Sequence, residues 1–305
     1  MLLVCNKGDE SLGLIDVEAG RQVAAVPEGG TTGHEVAVSA DGHMAYVPIY
    51  GEGGIGSSGV AGDRLVAIDL ASRLVVGTAH FGKGVRPHHP VFAAASGMLY
   101  VTTELDDAVA VVDPRTLSVT GRIPTGQAES HMLAISRNGR RGYTANVGPG
   151  TVSVLDLEAR TVLTVIPISG RTQRISISPD DSMVFTADRT APRLAVIDTA
   201  ANQVKTWVVL PGLGYGTAPT PDGRWLLVAM PETNEVAVVD LIAMKVAKCL
   251  DVPASPQAAV VRPDGREAYV SCDASRQIAV IDVAKWTVKG TIDAGEGADG
   301  LAWAN

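Results

Sequence analysis

The chain of 305 residues is 46% hydrophobic and 19% charged, enough apolar material for a buried core and too little charge for a disordered chain. Lys and Arg number 25 against 33 Asp and Glu, a net charge of −8 with no basic cluster, which argues against nucleic-acid and anionic-membrane partners. Three scattered cysteines, Cys5, Cys249 and Cys272, make no disulfide framework and no C-x-x-C pair. They read as free thiols of a reducing compartment. With no apolar run near the ~18 residues of a membrane span and no leader-like start, a soluble, cytoplasmic protein is expected.

In chain order, residues 1–25 read as three short strands beginning at Leu2-Val4. Four strands follow, over Val36–Ser39, Met44–Pro48, Leu65–Asp69 and Val75–Thr78, with the turn Ala40-Asp41-Gly42 between the first two. That turn recurs as Arg137-Asn138-Gly139, Pro179-Asp180-Asp181, Pro221-Asp222-Gly223 and Pro263-Asp264-Gly265. An Asp closing a strand recurs as Asp16, Asp69, Asp113, Asp156, Asp198, Asp240 and Asp282, at a spacing of about 42 residues with one insertion. This Asp is expected to cap the following turn through its backbone amides. No segment carries a sustained helical period.

Four strands per ~40-residue unit is the pattern of a β-propeller blade, and seven Asp markers give seven blades. The chain ends Gly300-Leu301-Ala302-Trp303, which matches the first strand of a blade and nothing further. The expected architecture is therefore an all-β, seven-bladed propeller of four antiparallel strands per blade. Its last blade is closed by three N-terminal strands and one C-terminal strand, spanning 299–305, and residues 1–305 form a single domain. Closure of this kind removes the open sheet edge.

Tyr100-Val101-Thr102-Thr103, Tyr143-Thr144-Ala145-Asn146 and Val196-Ile197-Asp198, with the Pro-Asp-Gly turns, resemble the YVTN-type seven-bladed propeller family over nearly the whole chain. The resemblance implies the fold. Its functional implication is broad, because such propellers include binding proteins, lactonases, lyases and metal oxidases.

A propeller's inner strands line its axis, and small-molecule sites gather in the funnel where the blades converge. The residue at the entrance to each inner strand is, blade by blade, His34, His88, His131, Gln173, Tyr215, Gln257 and Asp299. The chain has only six histidines, and three share this one phase in consecutive blades. Imidazole is the commonest neutral metal ligand, and three His with an open position is a catalytic arrangement. The expectation is thus a divalent transition metal (Zn, Cu, Ni or Fe) on His34, His88 and His131. The alternative is a ring of polar residues solvating the channel mouth. Glu35, Glu104, Glu129 and Asp299 are candidates to orient the imidazoles. His89 is expected on the opposite side of its strand, in the core or between blades, and His43 and His80 at the surface.

Asp299 and Tyr215 are candidate acid–base groups, and Arg86, Arg171 and Arg174 candidate contacts for an anionic substrate. The Gly/Ser-rich insertion Tyr50–Gly62 reads as a lid beside the histidines. Together these point to a metal-dependent enzyme acting on a small, anionic molecule in the funnel, as a monomer, with reaction type undecided among hydrolase, lyase and oxidoreductase. The alternatives are a non-catalytic binding propeller and a metal-independent lactonase- or lyase-like one.

Overall fold

A computed structural model describes residues 1–56 and 58–304. Seven sheets of four antiparallel strands follow one another around an axis, and no α-helix is present among the described residues. The first complete blade comprises Ala37–Val38, Met44–Gly51, Ala61–Asp69 and Leu74–His80. Its second and third strands run into the insertion, with Gly51 still paired to Ala61, so the loop itself is shorter than the sequence suggests. Ser57 of that loop lies outside the described residues.

Closure occurs as the termini imply. Ala298–Trp303 pairs with Leu2–Asn6, in a register that sets Leu2 opposite Trp303 and Val4 opposite Leu301. Asn305, at the end of the span expected for this strand, lies outside the described residues. The recurrent aspartates form their turns. Asp16 Oδ1 accepts from the amides of Glu18 and Ala19, and Asp156, Asp198 and Asp240 repeat the pattern.

The apolar core lies between the sheets. Alternation along each strand gives both faces of a blade apolar side chains, and each face packs on the next blade. Leu227, Val236 and Val238 of one blade meet Val270, Ala279 and Ile281 of the next. The closing blade packs Leu3 and Leu12 against Val47 and Val66 on one side, and Leu2 and Val4 against Tyr269 and Ile278 on the other. Each such fully buried Leu, Ile or Val contributes about 1.5–3 kcal/mol. Packing between sheets therefore supplies most of the scaffold on which the polar inner-strand residues are held.

Candidate active site

The residues at the entrance to the inner strands are set by a recurrent β-bulge. In blade two the register passes from Pro87 opposite Thr103 to Pro90 opposite Val101, so His88 and His89 together face Thr102. His131, Gln173-Arg174, Gln257-Ala258 and Asp299-Gly300 occupy the same irregularity in their blades. A bulge breaks strict alternation and re-aims side chains. His89 lines an axial cavity of about 120 Å³ with Glu35, Arg174 and Thr217, while its Nδ1 accepts from the Leu133 amide of the next blade at 3.1 Å. His43 and His80 are exposed, as expected.

The bulges bring His88 and His131 together with their rings stacked at 3.7 Å between centroids. His88 Nδ1 lies 3.1 Å from the carbonyl oxygen of His131, and His131 Nδ1 meets Glu104 Oε1. A carbonyl and a carboxylate oxygen accept, so each imidazole donates from Nδ1, which leaves Nε2 outside that bond. Gln173 Nε2 lies 3.4 Å from His131 Nε2 and donates to the Tyr215 hydroxyl at 2.9 Å. Donor atoms of His88, Glu104 and His131 all lie within 4.8 Å of one another, and all three residues are buried.

His34 stands just outside this group. Its ring is 5.4 Å from that of His88 and 4.6 Å from that of Tyr50, and its Nδ1 is 3.9 Å from Asp299 Oδ2. Burial pushes the His34 imidazole down to about 3 and the His88 imidazole well below its usual range, the latter aided by the neighbouring imidazoles, so both are neutral. Among the described residues, the two imidazoles of His88 and His131 and the Glu104 carboxylate are the group whose donor atoms could hold a metal ion, with His34 outside it.

Sixteen residues beyond each inner-ring position, at the end of the second strand, a second ring follows: Tyr50, Glu104, Val147, Arg189, Pro231 and Asp273, with Lys7 in the closing blade. Its members bond across blades. The Tyr50 hydroxyl donates to Glu104 Oε2 at 2.7 Å, and Lys7 Nζ donates to Asp273 at 3.0 Å. Sequence reasoning picked Glu104 from this ring as a possible partner for an imidazole but missed Tyr50 and Lys7. Reading the repeat at that later phase would have found them.

The remaining expected site residues separate. Asp299 is clamped by Arg174 at 2.6 Å and Lys7 at 3.1 Å. Burial alone would raise its carboxyl, but those two cations hold it below the usual range, which suits a structural anion better than a base. Arg174 is spent on Asp299 and on Glu35 at 2.7 Å, with its guanidinium over the Tyr215 ring. Burial pushes the Glu35 carboxyl up to about 7, against the pull of Arg174.

Arg86 is buried and grips the insertion, donating to the carbonyls of Glu52 at 2.8 Å and Gly54 at 3.2 Å while lying over the Tyr50 ring. Arg171 is exposed at the funnel rim. Tyr215 borders the histidine cluster through Gln173, and burial raises its hydroxyl, as burial and Glu104 raise that of Tyr50. Beside His34 opens a cleft of about 480 Å³, bounded by Lys7, Thr32, Gly53 of the insertion, and Arg276.

The family described as "Lactonase, 7-bladed beta-propeller" matches residues 18–201. The chain belongs to the lactonase seven-bladed β-propeller family. The matched stretch includes all three inner-ring histidines, Tyr50 and Glu104, and ends before Tyr215 and Asp299. Among solved structures, the chain of this lactonase-family protein is similar to "Kuenenia stuttgartiensis Hydrazine Synthase", with a TM-score of 0.80 and 17% identity over 92% of each chain. That likeness is one of fold alone. No curated protein matches the sequence. No helix among the described residues is long and apolar enough to cross a membrane.

Proposed function

We propose that this lactonase-family chain is a small-molecule enzyme whose reactive centre is the paired Nε2 face of His88 and His131, carrying a divalent transition metal with His34 as the third ligand. The observation behind the reading is the hydrogen bonding of the two Nδ1 atoms. Each is tied to an oxygen acceptor, which leaves both buried rings with lone pairs on Nε2. Glu104 uses one oxygen on His131 and the other on Tyr50, so it serves as the outer partner of the ligand rather than as a ligand. An all-nitrogen donor set suits Zn, Cu, Ni or Fe better than Ca or Mg. Once bound, such an ion supplies Lewis-acid polarisation of a carbonyl or acidification of a water.

The substrate occupies the funnel and the cleft beside His34. With Arg86 and Arg174 committed elsewhere, an anionic group on it meets Arg171 or Arg276 at the rim. The YVTN-like repeat is read as a variation within the lactonase-type fold, acting as one unit.

Elemental analysis of purified protein tests this. Transition metal present in the wild type and lost from His88→Ala and His131→Ala, with the propeller still folded, is the expected result. A metal-free protein that hydrolyses lactones at full rate would refute it. A second reading has its own observation: Glu104 on His131 Nδ1 is how a carboxylate orients an imidazole base. In that case metal-stripped protein retains turnover and Glu104→Gln loses it.

A further inference from the structure

Tyr50 is 1% exposed, and its ring is enclosed by chemistry-bearing neighbours. The His34 ring lies at 4.6 Å, the His88 ring stands edge-on at 5.3 Å, and the Arg86 guanidinium lies over it at 5.0 Å. Held on these sides, the phenol directs its hydroxyl to Glu104 Oε2 at 2.7 Å. Glu104, 2% exposed, has its other oxygen on His131 Nδ1. A carboxylate tied at both oxygens cannot turn, so its acceptor lone pair stays on the imidazole. Arg86 also carries the insertion on Glu52 and Gly54, which joins that loop to the same chain of contacts.

We propose that Tyr50 is a positioning residue for His131, acting through Glu104 to keep the imidazole protonated on Nδ1 and its Nε2 lone pair turned to the funnel. This rests on the reading of His88 and His131 as the reactive centre, yet it concerns a state of the metal-free protein and is testable there. Phe at 50 keeps the ring contacts and removes only the hydroxyl. Glu104 then has one oxygen without its donor in a buried place, the carboxylate is free to rotate, and the alternative His131 tautomer becomes populated.

The experiment is nitrogen NMR of histidine-labelled, metal-stripped protein. In the wild type the His131 ring signals should be those of an Nδ1–H imidazole. His89 provides an internal control of opposite tautomer, because its Nδ1 accepts from the Leu133 amide. In Tyr50→Phe the two His131 nitrogen signals should move toward each other while those of His89 stay put. Tyr100→Phe, which removes a phenol from the next blade, should leave both unchanged.

Titration with Co(II) or Zn(II) gives a second readout: loss of an outer partner should weaken binding about tenfold or more in Tyr50→Phe. Glu104→Gln supplies a further arm, since in its background Tyr50→Phe should change His131 no further. Unmoved His131 signals in Tyr50→Phe would overturn the proposal, as would equal effects of Tyr50→Phe with and without Glu104. A wild type that binds neither ion at these histidines refutes the metal reading alone, and the tautomer measurement still decides the role of Tyr50.

Discussion

Glu28 gives the sharpest test of the electrostatics beneath the site. It begins the loop that delivers His34, is 1% exposed, and accepts from the Gly33 amide through Oε2 at 2.9 Å, while Oε1 has no hydrogen-bond partner. Burial pushes its carboxyl up from 4.5 to about 7, with the Gly33 bond opposing and the Glu10 charge adding to the rise. A folded-state value above the unfolded one means that the fold holds the proton more tightly. Stability is therefore full below about pH 4.5 and falls as pH rises through about 7. At about 1.4 kcal/mol per unit, the gap of roughly 2.5 units is a loss on the order of 3 kcal/mol.

Glu28→Gln cannot ionise, and its amide oxygen can still accept from Gly33. The cost of its added N–H donors is the same at every pH. Urea melts of both proteins at pH 4.5 and pH 8 should show the variant gaining on the wild type by about 3 kcal/mol across that interval. Parallel stability curves for the two proteins would refute the assignment of a buried, strained carboxyl at this position.

Two further outcomes follow from the same contacts. Arg86→Ala removes the donors that hold the Glu52 and Gly54 carbonyls, so limited proteolysis under native conditions should cut within residues 52–60 faster than in the wild type; an unchanged cutting rate would show that the loop is held by other means. Asp299→Asn strips one carboxylate from Arg174 and Lys7, each of which keeps another, Glu35 at 2.7 Å and Asp273 at 3.0 Å. The cost, read from denaturant melts, should therefore sit at the low end of the range for breaking a buried pair, about 3 kcal/mol, and no measurable loss would mean that the network is redundant.

The fold was legible because its causes are local and repeated. Asp156 caps its own turn, Tyr143-Thr144-Ala145-Asn146 pairs with the strand after it, and seven copies of that logic leave one ring to close. The phase of His34, His88 and His131 was legible for the same reason. What the residue types alone did not disclose is the bulge that turns both His88 and His89 inward, since a register shift depends on how an inner strand meets its partner near the axis. Nor did they disclose that Arg174, in blade four, reaches Asp299 in blade seven across the channel. Pairing over the diameter of a ring leaves no trace in spacing.

The two rings together divide the funnel into unlike arcs. On the side of blades one to three stand three imidazoles, those of His34 and His88 neutral, backed by Tyr50 and the shared Glu104 carboxylate. On the side of blades six and seven stand Lys7, Asp273 and Asp299, joined to Arg174 in a network of full charges. Full charges at the second arc hold one another and take up little from a ligand, whereas the His131 Nε2 atom at the first meets only the Gln173 side chain. On the proposed reading, the histidine arc carries the chemistry and the charged one the shape. The asymmetry also bears on why His34 is driven so far toward the neutral form with Asp299 only 3.9 Å away: burial is the largest influence, and the pull of Asp299 is opposed by Lys7 and Arg174, the same cations that clamp that carboxylate.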